Sequence, residues 1–153
     1  MKHRKDKFLL GVFLGILMVT MAVLSGCGAK AEPKPDPGSG KYLIYYLNSS
    51  LTKLVAQEYE TETKDQADLA EELMDQLLHV PRDLDCQPAV NEKVSFKTCR
   101  IDEQVLYLYF DGSYISMKPE QEILCRAALA RTMTQIPGID YISIYRGDQP
   151  LMD

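Results

Sequence analysis

The spacing of apolar positions switches between a two-residue and a helical period along residues 41–147, and each switch marks an element. Extended runs at Tyr42–Leu47 and Lys53–Tyr59 flank the turn-forming Asn48-Ser49-Ser50, which predicts a β-hairpin. In residues 61–80, Leu69, Leu73 and Leu77 recur every four residues, and Ala70, Met74 and Val80 widen the stripe. Thr63 with Gln66 three positions on has the form of a capping box, and Pro81 stops the helix. Asp68, Glu71, Glu72 and Asp75 take the opposite, solvated face. A loop over 82–92 leads to two further extended runs, 93–100 and 104–110, around the connector Ile101-Asp102-Glu103. Pro119 then suits the first position of a second helix over 119–135. Ile123, Ala127 and Ala130 form one line along it, and Cys125, Leu129 and Met133 an adjoining one. Gly138 lies just past its end, and a last strand falls within 139–147. The order ββ-α-ββ-α-β predicts a single small α+β domain with two helices packed on one face of a sheet.

The N-terminus follows a different pattern. Lys2, Arg4, Lys5 and Lys7 precede sixteen uncharged residues, Phe8–Val23, and then Leu24-Ser25-Gly26-Cys27. A basic start, an apolar stretch and a small-residue site make up a secretory signal. The tetrad resembles the bacterial lipobox, in which the cysteine is acylated and becomes the new N-terminus. The competing reading, an uncleaved membrane helix, has a stretch shorter than the ~20 residues a span requires. Residues 1–26 are therefore expected to be a lipoprotein signal peptide, and Cys27 the acylated anchor in the lipid bilayer. Residues 27–40 form a Pro/Gly-rich linker, and 41–153 the domain, held at the cell membrane on its extracytoplasmic side. Pro33, Pro35 and Pro37 stiffen that linker.

Composition narrows the function. Without residues 1–26, the chain keeps 127 residues with 13 Lys/Arg and 21 Asp/Glu. This acidic balance opposes nucleic-acid binding, which depends on neutralising phosphates. It also gives no electrostatic help at an anionic bilayer, so acyl chains must hold the protein there.

Three stretches carry a resemblance to the GerMN domain family of spore germination and sporulation proteins. Residues 42–60, YLIYYLNSSLTKLVAQEYE, resemble its first hairpin, and LAEELMDQLLHVP its first helix with the terminating proline. Residues 104–151 are similar to its closing strand, helix and strand, with T-x-x-x-PGI-x-x-I-x-I as the densest part. The resemblance covers about residues 41–152. It implies likeness to the ring-building motif of sporulation envelope proteins. The implied role is binding of an envelope or sporulation protein, or self-association, in sporulation or germination.

Catalysis finds little support in the residues. His79 is the one imidazole after residue 26, and its place at a helix C-terminus suits capping. No HExxH, GxSxG, P-loop or CxxC occurs, so no catalytic residue, metal ligand or cofactor is expected. Glu71, Glu72 and Asp75 have the solvated setting of a polar helix face, and Asp111 in Phe-Asp-Gly-Ser reads as a turn residue. Tyr42, Tyr46, Tyr107, Tyr109, Tyr141 and Tyr145 all fall in expected strands. Strand preference explains them, and a ladder of exposed rings would also make a protein or peptidoglycan contact. Cys125 is expected as a buried thiol on a helix face. Cys86 and Cys99 stand 13 positions apart, and an extracytoplasmic setting permits a disulfide if their Cα atoms come within about 7 Å.

Overall fold

The computed structural model describes Asp36 and residues 38–151 of the 153-residue chain. The segment expected to be a signal peptide, Cys27 and most of the expected linker lie outside the described residues. Among the described residues, seven strands and two α-helices follow in the order β1 (Lys41–Asn48), β2 (Leu54–Glu60), α1 (Gln66–Leu78), β3 (Cys86–Gln87), β4 (Phe96–Asp102), β5 (Val105–Phe110), α2 (Pro119–Met133), β6 (Tyr141–Arg146) and β7 (Gln149–Pro150). A 3-10 turn, Gly112–Ser116, lies between β5 and α2. The α+β class and both helices are as the sequence predicts.

The strands do not form the single sheet expected. They divide into a three-stranded sheet, β2-β1-β3, and a four-stranded sheet, β4-β5-β6-β7. The physical reason lies on the far edge of β1. Among the described residues, its only strand partner there is the two-residue β3, opposite Leu47 and Asn48. Further along, α2 takes the place of a strand: Thr132 Oγ1 accepts the Tyr45 N–H at 3.2 Å, and Gln135 bonds Leu43. Side chains thus satisfy backbone groups that a neighbouring strand would otherwise pair.

The β1–β2 hairpin is antiparallel and in register from Lys41↔Glu60 to Leu47↔Leu54. Strand β4 begins at Phe96 and runs through the expected connector to Asp102, so the turn is Glu103-Gln104, with Glu103 at φ 54. Strands β5 and β6 are parallel, from Val105↔Tyr141 to Phe110↔Arg146, which requires the crossover through α2.

Both helices bury one face. Leu69, Ala70, Leu73, Met74 and Leu77 of α1 are buried as the spacing predicts. Val80 is not part of that stripe; it lies beyond the helix end and is 76% exposed. The cap is not the Thr63–Gln66 box. Asp65 sits directly before the helix, and its Oδ1 accepts the N–H of Ala67 at 2.9 Å and of Asp68 at 3.1 Å. A carboxylate one residue from the first turn outcompetes the more distant threonine. Freed from capping, the Gln66 carboxamide donates to the Pro137 carbonyl. On α2 the buried line is Cys125, Ala128, Leu129, Thr132 and Met133; Ile123 on the other line is 68% exposed. Gly138, at φ 84, turns the chain after α2 in a conformation that favours glycine. One core joins both sheets and both helices, from Tyr42 and Ile44 through Leu73 and Leu108 to Leu129 and Ile144.

Candidate interaction surface

Alternation along β5 divides the four-stranded sheet into two faces. Leu106, Leu108 and Phe110 are buried, while Val105, Tyr107 and Tyr109 stay half-buried on the other side. Parallel pairing places Tyr141, Ser143 and Tyr145 of β6 level with those three. Antiparallel pairing places Thr98, Arg100 and Asp102 of β4 opposite Tyr109, Tyr107 and Val105. Residues paired directly across strands share a face. The outer face therefore gathers four of the six tyrosines singled out in the sequence.

Three of them interlock. The Tyr145 ring centroid lies 5.1 Å from that of Tyr109 and 6.0 Å from that of Tyr107, both tilted. The Arg100 guanidinium stands 5.2 Å from the Tyr107 ring centroid, in reach of its π-face. Arg100 also reaches Asp102 at 3.5 Å, both largely exposed. The result is a row, Arg100–Tyr107–Tyr145–Tyr109, with Tyr141 on the same face and 66% exposed. Arg100 escaped the sequence reading. Its signal was the β4–β5 register, which the misplaced turn at residues 101–103 obscured.

Tyr42 and Tyr46 do not belong to this surface. They are 4% and 5% exposed, packed into the core from β1, and so stand apart from the outer sheet face. Burial pushes both phenols above their ordinary titration range.

The carboxylates have separate structural roles. Asp68, Glu71 and Asp75 are exposed, as expected of a solvated helix face. Glu72 is only half-exposed: its Oε1 accepts from the Tyr59 hydroxyl at 2.6 Å. Hydrogen bonds from Thr63, then Tyr59, hold the Glu72 carboxyl below its ordinary range. The same bond, with burial next, pushes the Tyr59 phenol up to about 12. Asp111 caps the 3-10 turn, Oδ1 accepting the Ser113 N–H at 3.0 Å and the Ser95 N–H at 3.4 Å; the Ser113 hydroxyl, a further partner, is the first cause of a lowered carboxyl pKa. His79 is the C-cap of α1, its Nδ1 2.7 Å from the Asp75 carbonyl oxygen and 3.3 Å from Oδ1. Among the described residues, no group of three or more His, Cys, Asp or Glu could hold a metal ion.

The cysteines are apart in role as well as place. All three in the described domain are free. Cys86 faces Asn48 in the three-stranded sheet, whereas Cys99 faces Leu108 in the four-stranded one. The Cys86–Cys99 bond permitted by spacing is not made, because the two residues enter different sheets. Cys125 is fully buried on α2, and burial pushes its thiol up to about 12.

A cleft of about 870 Å³ lies at the start of β1, lined by Gly38, Gly40, Tyr42, Thr61, Thr63, Lys64 and Pro137 among others. Its lining also includes Ser39 and Glu62 and holds no histidine. No helix among the described residues is long and apolar enough to cross a membrane.

The fold thus defines a small α+β domain of two helices and two sheets, with an aromatic outer face. Residues 43–152 match the family described as "Germane: Sporulation and spore germination", and the chain belongs to that family. Among solved structures, it is similar to the first GerMN domain of the sporulation protein GerM from Bacillus subtilis. The identity is 14% and the TM-score 0.61, over 72% of this chain and 85% of that one. It is also similar to the tandem GerMN domains of the same protein, at 14% identity and TM-score 0.60, over 72% of this chain and 40% of that longer one. At these identities the likeness shows the fold. No curated protein sequence matches the chain.

Proposed function

We propose that this chain is a cell-envelope lipoprotein, anchored through acylated Cys27, whose domain over residues 41–153 binds a protein partner or a further copy without catalysing a reaction. Membership of a sporulation and germination family points to those processes as its setting. The observation that carries the binding role is the row Arg100–Tyr107–Tyr145–Tyr109 on the outer sheet face. Tyrosine and arginine are enriched where proteins bind one another, because they combine large contact area with a polar tip. The row is also pre-ordered by its own stacking, which lowers the entropic cost of association. The absence of an imidazole near any carboxylate of the cleft or the row favours binding over turnover.

A second reading, a wall-glycan module, is supported by Tyr141, whose exposed ring on the same face could stack against a sugar. One experiment separates the two. Full-length protein in detergent micelles is incubated with purified peptidoglycan and, separately, with solubilised membrane proteins of its source. Under the first reading it captures a membrane protein, and Tyr145→Ser with Arg100→Ser abolishes capture. Retention on peptidoglycan alone, lost in the same variant, selects the glycan reading. Capture of both unaffected by that variant rejects the surface. Anchoring is tested independently: Cys27→Ser must leave an unacylated precursor, and recovery of an intact Met1 N-terminus from wild-type membranes sinks the lipoprotein reading.

A further inference from the structure

The edges of the two sheets are unequally protected. Exposed edges invite pairing with another chain, and proteins blunt them with short strands, bulges, charges or a covering element. Strands β3 and β7 have two residues each. The far side of β1 is closed by Thr132 and Gln135 of the α2 segment. Strand β4 carries an irregularity between Phe96 and Thr98. Strand β2 is guarded by charge alone, in Glu58 and Glu60, and among the described residues it has no bulge and no covering strand. It runs seven residues in unbroken register with β1 and contains no proline.

The direction of its backbone groups follows from the bonds at its two ends. Asn48 N–H donates to the Lys53 carbonyl, and Thr61 N–H to the Gly40 carbonyl, so the odd-numbered residues of β2 pair with β1. The N–H and C=O groups of Leu54, Ala56, Glu58 and Glu60 then point to the open side. Among the described residues, no strand lies there. Glu58 and Glu60 are exposed, and Lys41 meets Glu60 at 3.0 Å from the β1 side.

We propose that the open edge of β2, Leu54 to Glu60, receives an extended strand of a partner protein that carries Lys or Arg at alternate positions. The added strand would take up the free backbone groups, with apolar residues opposite Leu54 and Ala56 and basic ones opposite Glu58 and Glu60. Charge complementarity decides the occupant. The chain has a formal net charge of −5, and an antiparallel pair of β2 strands from two copies would bring their glutamates to diagonal neighbours. A basic segment has the opposite balance and suffers no such repulsion. This inference deepens the partner-binding reading above and rests on it.

Full-length protein in detergent micelles is used to select from a displayed library of random nine-residue peptides, and the selected peptides are measured against two variants. Ala56→Pro removes an outward N–H without touching the bonds to β1, since edge strands accept proline where the N–H faces solvent. Glu58→Lys keeps the edge and reverses its charge. The expected result is enrichment of Lys or Arg at every second position, with affinity falling about tenfold or more in each variant, a loss of about 1.4 kcal/mol. An unchanged melting transition in Glu58→Lys shows that its loss is not unfolding. The proposal is overturned if no peptide is enriched above a protein-free control, if enriched peptides bind Ala56→Pro as well as wild type, or if the edge is filled by a second copy. The last appears as concentration-dependent dimerisation lost in Ala56→Pro. A membrane protein captured by Ala56→Pro but not by Tyr145→Ser would sink the edge and leave the broader partner-binding reading standing.

Discussion

The carboxamide of Gln135 binds both backbone groups of Leu43: Oε1 accepts its N–H and Nε2 donates to its C=O, each at 2.8 Å. The two residues are 92 positions apart, and the contact copies the pairing that an extra strand would give β1. Gln135→Ala should therefore destabilise the domain more than an ordinary surface truncation. Each buried backbone group left unpaired costs about 1–3 kcal/mol, and partial access to water reduces this, so the expected loss is about 2 kcal/mol. Gln135→Glu keeps the acceptor for the N–H but sets a carboxylate against the Leu43 carbonyl, and should be no more stable than Gln135→Ala at neutral pH. Urea unfolding of the three proteins checks this; a Gln135→Ala value within about 0.5 kcal/mol of wild type, the range of neutral surface changes, would reject the role.

The Tyr59–Glu72 bond predicts a stability window with two edges. The Glu72 carboxyl lies below its ordinary 4.5, so its contribution is complete above that pH and is lost as pH falls through the folded value. The Tyr59 phenol is raised from 10.0 to about 12, so its contribution is complete below pH 10 and is lost as pH rises through about 12. Glu72→Gln should accordingly melt below wild type at pH 7, by an amount of order 1 kcal/mol for a partly exposed charged hydrogen bond. The gap should narrow as pH falls from 4.5 through the lowered folded value of the Glu72 carboxyl, where wild type becomes protonated too. A gap that stays constant from acid to neutral pH would mean that packing, not the carboxylate, sets the difference.

What the sequence made legible was whatever depends on local period. The Leu69–Leu73–Leu77 stripe, the Pro119 helix start and the extended run of β5 were all readable, because each is written within about ten residues. What it concealed depends on residues far apart. Splitting of the sheet turns on Thr132 and Gln135 reaching Tyr45 and Leu43, and no local pattern announces a polar side chain that replaces a strand. Burial of Tyr42 and Tyr46 was hidden for a related reason. Strand β1 is covered on both faces, so its six tyrosine and aliphatic positions lack the alternation that would mark an inward and an outward side. The Tyr107–Tyr145 contact lies between: both strands were visible, but their parallel register follows only once the crossover is known.

Tyrosine substitutions should separate packing from surface. Tyr46 is 5% exposed within the core, and Tyr46→Ala should cost about 3–5 kcal/mol, the range for removing a buried aromatic side chain. Tyr141 is 66% exposed, and Tyr141→Ser should change stability by no more than about 0.5 kcal/mol. Tyr145→Ser should fall between them, since it also loses the ring contacts to Tyr107 and Tyr109. Denaturant midpoints at equal slope give the ranking, and a Tyr141→Ser protein as unstable as Tyr46→Ala would contradict the assignment of the outer face.

The cysteines should react with iodoacetamide in an order fixed by burial and thiolate supply. Cys99 is half-buried, Cys86 is 6% exposed and Cys125 is fully buried. Burial raises all three thiols, and it pushes Cys125 from 9.0 to about 12, which lowers its thiolate fraction by about a thousandfold. In the native protein at about pH 8, Cys99 should be alkylated first and Cys86 more slowly. Cys125 should react only through global unfolding, at a rate that follows the unfolded fraction as urea is added. In concentrated urea all three should react without reductant, since none is bonded in the folded domain. Mass spectrometry of the digested protein resolves each site. Should Cys86 and Cys99 stay unmodified in urea until a reductant is supplied, a disulfide joins them, and the separate placement of β3 and β4 would have to be redrawn.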